Sequence, residues 1–430
     1  MSTTASVSPA RACAYAVVRR VFEQGAYADR AFHAQARGLD QRDRAFAMAL
    51  AYGTVQRKAT LDHVIQQLSD RPVTRLDPPV LAALRLGLMQ LLLLDGVAEH
   101  AAVHESVQLA KRHAHGGSGL VNAVLRRASR EGRAIIDGLD DDTPASAAIR
   151  HSVPAWLAEL WWRELGAERA RSLLAAVNRA PESAVRANTL LAPDAAALAA
   201  TLGVPSHPAP GLPEGLVLDA PFDAYASPQW ERGELMPQSR ASMTVARLLA
   251  PEPGERVLDL CAAPGAKTTH LGALTGDTGE LVAVERHPGR ADALTTTLHR
   301  MHVTSARVVV ADASAPHGHD AYDRALVDPP CSGLGTLQSR PDLRWRAAPG
   351  QIAELAAQQQ RILRAAAAAT RPGGSLVYSV CTITRAETVD VVEEFVAERQ
   401  DWERDAEINL APDTDGTDGF FIARLRNRSG

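Results

Sequence analysis

The side chains best suited to chemistry stand at the ends of apolar runs in the second half of the chain. They are Cys261 and Lys267 in VLDLCAAPGAKTTH, Glu285 after ELVAV, Asp312 after ARVVVA, Asp328 and Cys331 in VDPPCSG, and Cys381 in VYSVCT. If these runs are strands of an open α/β sheet, a ligand binds where loops leave their carboxyl ends. The turn Cys261, Ala262, Ala263, Pro264, Gly265, Ala266, Lys267 is built of small residues that let the backbone approach a ligand. It matches neither G-x-G-x-x-G nor G-x-x-x-x-G-K-[ST]. The glycines of a phosphate loop would fall at Ala266 and Cys261, so a ligand without phosphates fits better. Glu285 is set to accept from two ribose hydroxyls and Asp312, one strand on, from an adenine amino group; together they describe an adenosine. A single acid at a strand end is as readily a solvated loop residue. Three acids in consecutive loops, Asp328 being the third, mark a site.

The four cysteines, Cys13, Cys261, Cys331 and Cys381, form no C-x-x-C pair, which argues against a disulfide framework and a zinc knuckle. Their chemistry is that of thiols, and no metal is expected. Cys331 and Cys381 close strands in the right half of the sheet. Cys261 reads as a packing residue beside the ligand, and Cys13, in a predicted helix, has no role.

Positioning such loops takes β-α alternation. Beyond Gln238, ERVLDLCAAPG, ELVAVERHP, ARVVVADAS, YDRALVDPPCSG and GGSLVYSVCT are predicted strands separated by helical stretches such as QIAELAAQQQRILRAAAAAT, the pattern of a doubly wound sheet. From Pro9 to Arg133 apolar residues recur every three or four positions and no strand pattern occurs, so a helical bundle is predicted there. GLDDDTPASAAIRHSVP, poor in large apolar residues, reads as a linker, with a first boundary near Gly138. The middle segment has helices at AWLAELWWRELG and ERARSLLAAVN, then Pro/Gly-punctuated pieces.

At 430 residues the chain is long enough for about two or three folded units. Hydrophobic residues make up 46% and charged residues 22%, and no apolar run reaches the roughly 18 residues of a membrane span. The first residues carry no secretion leader, so a cytoplasmic location is expected. A net charge of −4 is not that of a chain held to nucleic acid by bulk electrostatics. Cations nevertheless cluster at Arg19-Arg20, Arg57-Lys58 and Arg126-Arg127, where a local basic face is open to formation.

DLCAAPGAKTTH, VDPPCSGLGT, VYSVCT and the closing GTDGFFIARL together resemble the RNA 5-methylcytosine methyltransferases of the RsmB/NOP family. The helical first part, with VNAVLRR and LRLGLMQLLLL, resembles the NusB-like domain of its RsmB branch. The resemblance implies three parts. Residues 1–138 are an all-α NusB-like RNA-binding domain, 139–237 a linker and small α+β RNA-binding middle domain, and 238–430 a C-terminal α/β Rossmann-like class I methyltransferase domain. The implied cofactor is S-adenosyl-L-methionine, the implied substrate 16S ribosomal RNA, and a monomer is expected. Ala266 stands where a second glycine is common, SVCT departs from STCS, and PQSRAS departs from QDEAS, so Ser239 and Arg240 are given no role.

The resemblance assigns the nucleophile to Cys381, adding to carbon 6 of a cytosine, and a helper role to Cys331. Asp328 would manage the proton at ring nitrogen 3, and Lys267 would stabilise the Cys381 thiolate or lie near RNA phosphate. RNA affinity is expected from the helical domain and from the middle segment, where RANTL at Arg186–Leu190 resembles a family motif. Arg19, Arg20, Arg57, Lys58, Arg126 and Arg127 are the candidate phosphate contacts. Rival readings are a noncatalytic RNA-binding assembly factor, or the same chemistry on transfer RNA or DNA.

Overall fold

In the computed structural model residues 7–192 and 194–429 are described. Contacts gather the chain into two units, Met1–Arg179 with Leu337–Arg346, and Ala180–Thr336 with Ala347–Gly430.

The first unit is helical, as its periodicity predicts: Pro9–Gln24, Ala28–Gln35, Gln41–Gln56, Lys58–Leu68, Pro78–Leu92, Glu99–His113 and Ser118–Asp137. Pro78–Leu92 opens on proline, whose missing N–H costs nothing in a first turn, and is apolar on all sides, with Leu84, Leu86 and Leu88 buried. It is the central helix of the bundle core.

The stretch expected as a linker is folded. Thr143 and Ser146 form a reciprocal cap on the helix Pro144–Arg150, Ala147 and Ala148 are buried, and His151 Nε2 lies 2.9 Å from Asp141 Oδ2. Thr60 Oγ1 donates to the Ile149 carbonyl at 2.6 Å, so this corner packs on the bundle. Small residues sufficed because a cap and a close neighbour replace bulk. The helices Ala155–Leu165 and Ala167–Ala176 continue the unit, parted by Gly166 at φ 79°. The middle segment is thus shared: its helices belong to the first unit and its strands to the second.

The first unit also takes in Leu337–Arg346, which nothing in the sequence signalled. Arg344, fully buried, donates to the carbonyls of Ser152, Val177 and Leu337, each at 3.1 Å, and to Asn178 Oδ1 at 3.0 Å. Trp345 Nε1 donates to the Val55 carbonyl at 2.7 Å, and the Lys58 ammonium lies 4.5 Å from the Trp345 ring centroid.

The second unit holds two sheets. The smaller contains β1 (Ala184–Ala187), β2 (Ser206–Pro208), β3 (Gly215–Leu218) and β4 (Leu235–Pro237), antiparallel in the order β2-β3-β1-β4. The larger contains β5 (Arg256–Leu260), β6 (Glu280–Glu285), β7 (Ala306–Val310), β8 (Tyr322–Val327), β9 (Thr370–Val380), β10 (Trp402–Leu410) and β11 (Phe420–Asn427). Its order is β10-β11-β9-β8-β5-β6-β7; β5 to β9 are parallel, and β11 runs antiparallel between β9 and β10. Helices Ala266–Leu274, Pro288–Arg300 and Pro349–Ala369 link the parallel strands, and Val389–Glu398 precedes β10.

The first three residues of RANTL, Arg186 to Asn188, are internal. Arg186 is fully buried, donating to Gln238 Oε1 and Thr269 Oγ1, each at 2.9 Å, and Asn188 donates to the carbonyls of Gly233 and Met301. Arg186 and Asn188 therefore fasten the small sheet to the larger one instead of meeting RNA. His270 and Glu214 share a bond of 2.7 Å beside them. Burial, then the nearby Arg186 charge, pushes the His270 pKa down to about 4, so it serves as a neutral donor.

Arg344→Ala is expected to destabilise the helical unit by about 3 kcal/mol, because several buried carbonyls lose their donor at once. Urea unfolding followed by circular dichroism checks this; an unmoved transition would refute it.

Candidate active site

The sheet order fixes where the site lies. From β5 the chain steps outward through β6 to β7, then crosses back to the far side of β5 to lay down β8 and β9. The reversal leaves a crevice at the carboxyl ends of β5 and β8. The loops there carry Cys261–Lys267 and Asp328.

The small-residue turn is shaped by packing as well as by access. Gly265 has φ 107°, and a Cβ there would lie 2.8 Å from Leu294 Cδ1 on the neighbouring helix. Ala262 and Ala263 are buried beside it. Glu285, at the end of β6, is buried; its Oε1 accepts from the His287 N–H at 2.9 Å, and Arg290 Nε lies 3.5 Å from its Oε2. Arg290 also donates to the Ala263 carbonyl at 2.7 Å, joining the acid to the turn. Asp312 is exposed beyond β7, where the Ser314 hydroxyl and N–H hold its carboxyl below the ordinary range. Asp259 is a buried acid under the turn. Burial pushes its pKa up to about 7 despite a 2.6 Å bond from Thr268 Oγ1.

Beside this crevice stand the remaining expected residues. Asp328 Oδ2 accepts from Lys267 Nζ at 2.8 Å, and its Oδ1 accepts from Ser379 Oγ at 3.0 Å. The Lys267 ammonium also lies 5.3 Å from the Phe420 ring centroid. Burial opposes its charge, but Asp328 outweighs burial and the Lys267 pKa is raised. Cys331 Sγ and Cys381 Sγ are 3.4 Å apart. Hydrogen bonding with Cys381, then burial, raises the Cys331 thiol well above its ordinary value. Cys261, by contrast, is pushed up to about 12 chiefly by burial, as befits a packing residue.

Backbone contacts lock these loops. The Gly335 N–H donates to the Cys381 carbonyl at 3.0 Å, and the Gly419 N–H donates to the Gly335 carbonyl at 2.8 Å. A Cβ on Gly335 would lie 2.0 Å from the Gly419 carbonyl oxygen, so only glycine fits. All four sequence motifs, distant along the chain, thus meet at one place.

Residues 246–426 match the family model 16S rRNA methyltransferase RsmB/F, and residues 8–130 match the NusB family. The chain is 37% identical to the probable ribosomal RNA small subunit methyltransferase B of Synechocystis sp., over 97% of this chain and 99% of that protein. It is 32% identical to the corresponding protein of Bacillus subtilis, over 91% and 92%. The chain belongs to the RsmB/F methyltransferase family. The crystal structure of PH0851 has the same fold, with a TM-score of 0.82 at 24% identity over 98% of this chain and 99% of that one.

An RsmB/F methyltransferase uses S-adenosylmethionine. The crevice suits that cofactor: a buried acid, Glu285, closes one strand, and the small turn Ala262–Gly265 closes the next.

Sequence reasoning missed Arg290 and a group around Glu387. Glu387, fully buried, accepts from the Ser332 N–H at 2.8 Å and from Thr384 Oγ1 at 2.7 Å. Its setting, ITRAETV, reads like any solvated helix start and carries no signal of this role. Ser239 caps the helix Arg240–Leu249, and Arg240 pairs with Glu182, so both are structural.

The candidate RNA contacts are spread over several helices. Arg19 pairs with Glu23 at 2.6 Å, Arg127 with Glu131 at 3.0 Å and Lys58 with Asp62 at 3.8 Å. Arg126 donates to Asn122, Arg57 is half-buried with its pKa lowered by burial, and Arg20 is half-buried.

Glu285→Ala is expected to weaken S-adenosylmethionine binding to the full chain about tenfold or more, the effect of losing a charged acceptor. Titration calorimetry reads this directly, and unchanged affinity would remove Glu285 from the cofactor site.

Proposed function

We propose that this enzyme methylates carbon 5 of a cytosine in small-subunit (16S) ribosomal RNA through a covalent Cys381–cytosine intermediate. The observation that carries the reading is the 3.4 Å pair of thiols beside the Lys267–Asp328 ion pair. Carbon 5 of cytosine is a weak nucleophile. Addition of the Cys381 thiolate to carbon 6 makes the ring an enamine, and Asp328 holds the proton at ring nitrogen 3 as charge develops. Lys267 keeps negative charge on Asp328 and Cys381 tolerable in a dry site. The bound cofactor supplies an electrophilic methyl group. The carbon 5 proton is then lost to water, the electron pair reforms the ring double bond, and Cys381 leaves carbon 6, taking its proton from the Cys331 thiol 3.4 Å away.

The names of the relatives support ribosomal RNA as substrate. In this reading residues 1–138 and 139–237 contribute RNA binding and 238–430 the chemistry, on a base turned out of structured RNA. Of the cations at Arg19, Arg20, Arg57, Lys58, Arg126 and Arg127, Arg19, Lys58, Arg126 and Arg127 reach phosphate by exchanging their internal partners. The enzyme acts as a monomer in the cytoplasm. Among the described residues no helix is long and apolar enough to cross a membrane.

Alanine variants of the two cysteines separate their roles. With RNA and S-adenosylmethionine, Cys331→Ala is expected to leave a slow-migrating protein–RNA band on a denaturing gel, and Cys381→Ala none. Turnover falls about a thousandfold or more in both. The reverse band pattern would make the cysteine of VDPPCSG the nucleophile.

A further inference from the structure

We propose that Glu387 is a positioning residue for both cysteines: one buried carboxylate that clamps the two thiol-bearing loops together and keeps negative charge on the Cys331 side of the pair. The inference rests on the two-cysteine reading above and adds a residue that neither the motifs nor the cofactor crevice includes.

Glu387 ends the short turn Arg385–Glu387 and is fully buried. Its Oε1 accepts from the Ser332 N–H at 2.8 Å and from Gln359 Nε2 at 3.2 Å. Its Oε2 accepts from Ser332 Oγ at 2.5 Å, Thr384 Oγ1 at 2.7 Å and Thr382 Oγ1 at 3.4 Å. Ser332 and Thr382 are the residues that follow Cys331 and Cys381, and their hydroxyls are 2.8 Å apart. A single carboxylate therefore binds the residue that follows each thiol, Ser332 through its N–H and hydroxyl and Thr382 through its hydroxyl.

The clamp is itself braced. The Tyr378 hydroxyl donates to the Glu387 carbonyl at 2.7 Å, and Gln359 Nε2 also reaches the Pro330 carbonyl at 3.0 Å, one residue before Cys331. A buried carboxylate is costly unless its lone pairs are filled, and here neutral donors fill them. Space-filling alone would be met more cheaply by an apolar side chain.

The charge has a direction. Lys267 interacts electrostatically with Cys381, whereas Glu387 acts on Cys331. The cation favours a thiolate on the attacking sulfur, and the anion favours a thiol on its neighbour. Two cysteines in contact would otherwise compete for one negative charge.

The test uses the full chain with Glu387→Gln, whose amide oxygen can still accept from the Ser332 N–H and whose NH2 can turn to the hydroxyls, but which carries no charge. Calorimetric affinity for S-adenosylmethionine should be unchanged, showing an intact fold. In a Cys381→Ala background, alkylation of Cys331 by iodoacetamide at pH 8, followed by mass spectrometry, should accelerate about tenfold, the effect of one pKa unit. With both cysteines present, kcat for RNA methylation should drop at least about tenfold while KM for S-adenosylmethionine stays constant. An unchanged Cys331 alkylation rate in folded Glu387→Gln overturns the proposal. Faster alkylation with undiminished turnover would uphold the clamp and count against the two-cysteine chemistry instead. Should Glu387→Gln fail to bind the cofactor, Ser332→Ala decides: it removes the bridging hydroxyl and keeps the charge, so kcat must fall without a change in alkylation, and an unchanged kcat overturns the proposal.

Discussion

The Lys267 ammonium is only 13% exposed, at the start of the helix that follows β5. A charge so removed from water is stable only against a partner, and Asp328, 2.8 Å away at the end of β8, is that partner. The pair spans the gap between the strands where the sheet reverses its order, and the site hangs from it. Asp328 is turned toward β9 by Ser379, two residues before Cys381, and Lys267 rests on Phe420 at the head of β11. Removing Asp328 would leave the Lys267 charge buried and unmatched, so the ion pair and the alignment of the surrounding loops are one constraint.

Backbone packing completes that constraint where side chains cannot. The loops after β8 and β9 and the turn before β11 approach within hydrogen-bond distance through Gly335, Cys381 and Gly419. Such closeness leaves no room for a Cβ at Gly335. Gly335 and Gly419 are thus required by packing and are not flexible hinges. They fix the sulfurs relative to the crevice.

What the sequence made legible was local. Strands β5 to β9 announce themselves as apolar runs ending in polar loops, and the side chains at their ends fall where an open sheet puts its ligands. The helical bundle follows from three- and four-residue spacing. What escaped was long-range or disguised. Strand β10, WERDAEINL, lies at the sheet edge with charged residues on it and has no apolar run to betray it. The corner at 138–154, poor in large apolar residues, read as a linker because its contact with Thr60 depends on a helix far back in the chain. Arg186 looked like a surface cation, and only the tertiary fold supplies the acceptors that let it be buried. Glu387 had no local signal, since its donors come from four separate positions in the sequence.

If it acts on RNA as proposed, a chain of net charge −4 must meet its substrate through local cations. Several of its candidate cations already face carboxylates within their own helices: Arg19 with Glu23, Lys58 with Asp62, Arg127 with Glu131. Arg127–Glu131 is exposed, and a pair of that kind contributes little to stability, so a phosphate can replace its carboxylate at small cost. The gain from each exchange is correspondingly the difference between two ion pairs, not the full attraction of a bare cation. Binding built this way favours RNA whose phosphates match the spacing of the cations over polyanions in general. On the proposed reading, affinity then depends on the shape of the folded RNA, while the Lys267–Asp328 pair, 2.8 Å apart, is left to the reacting base.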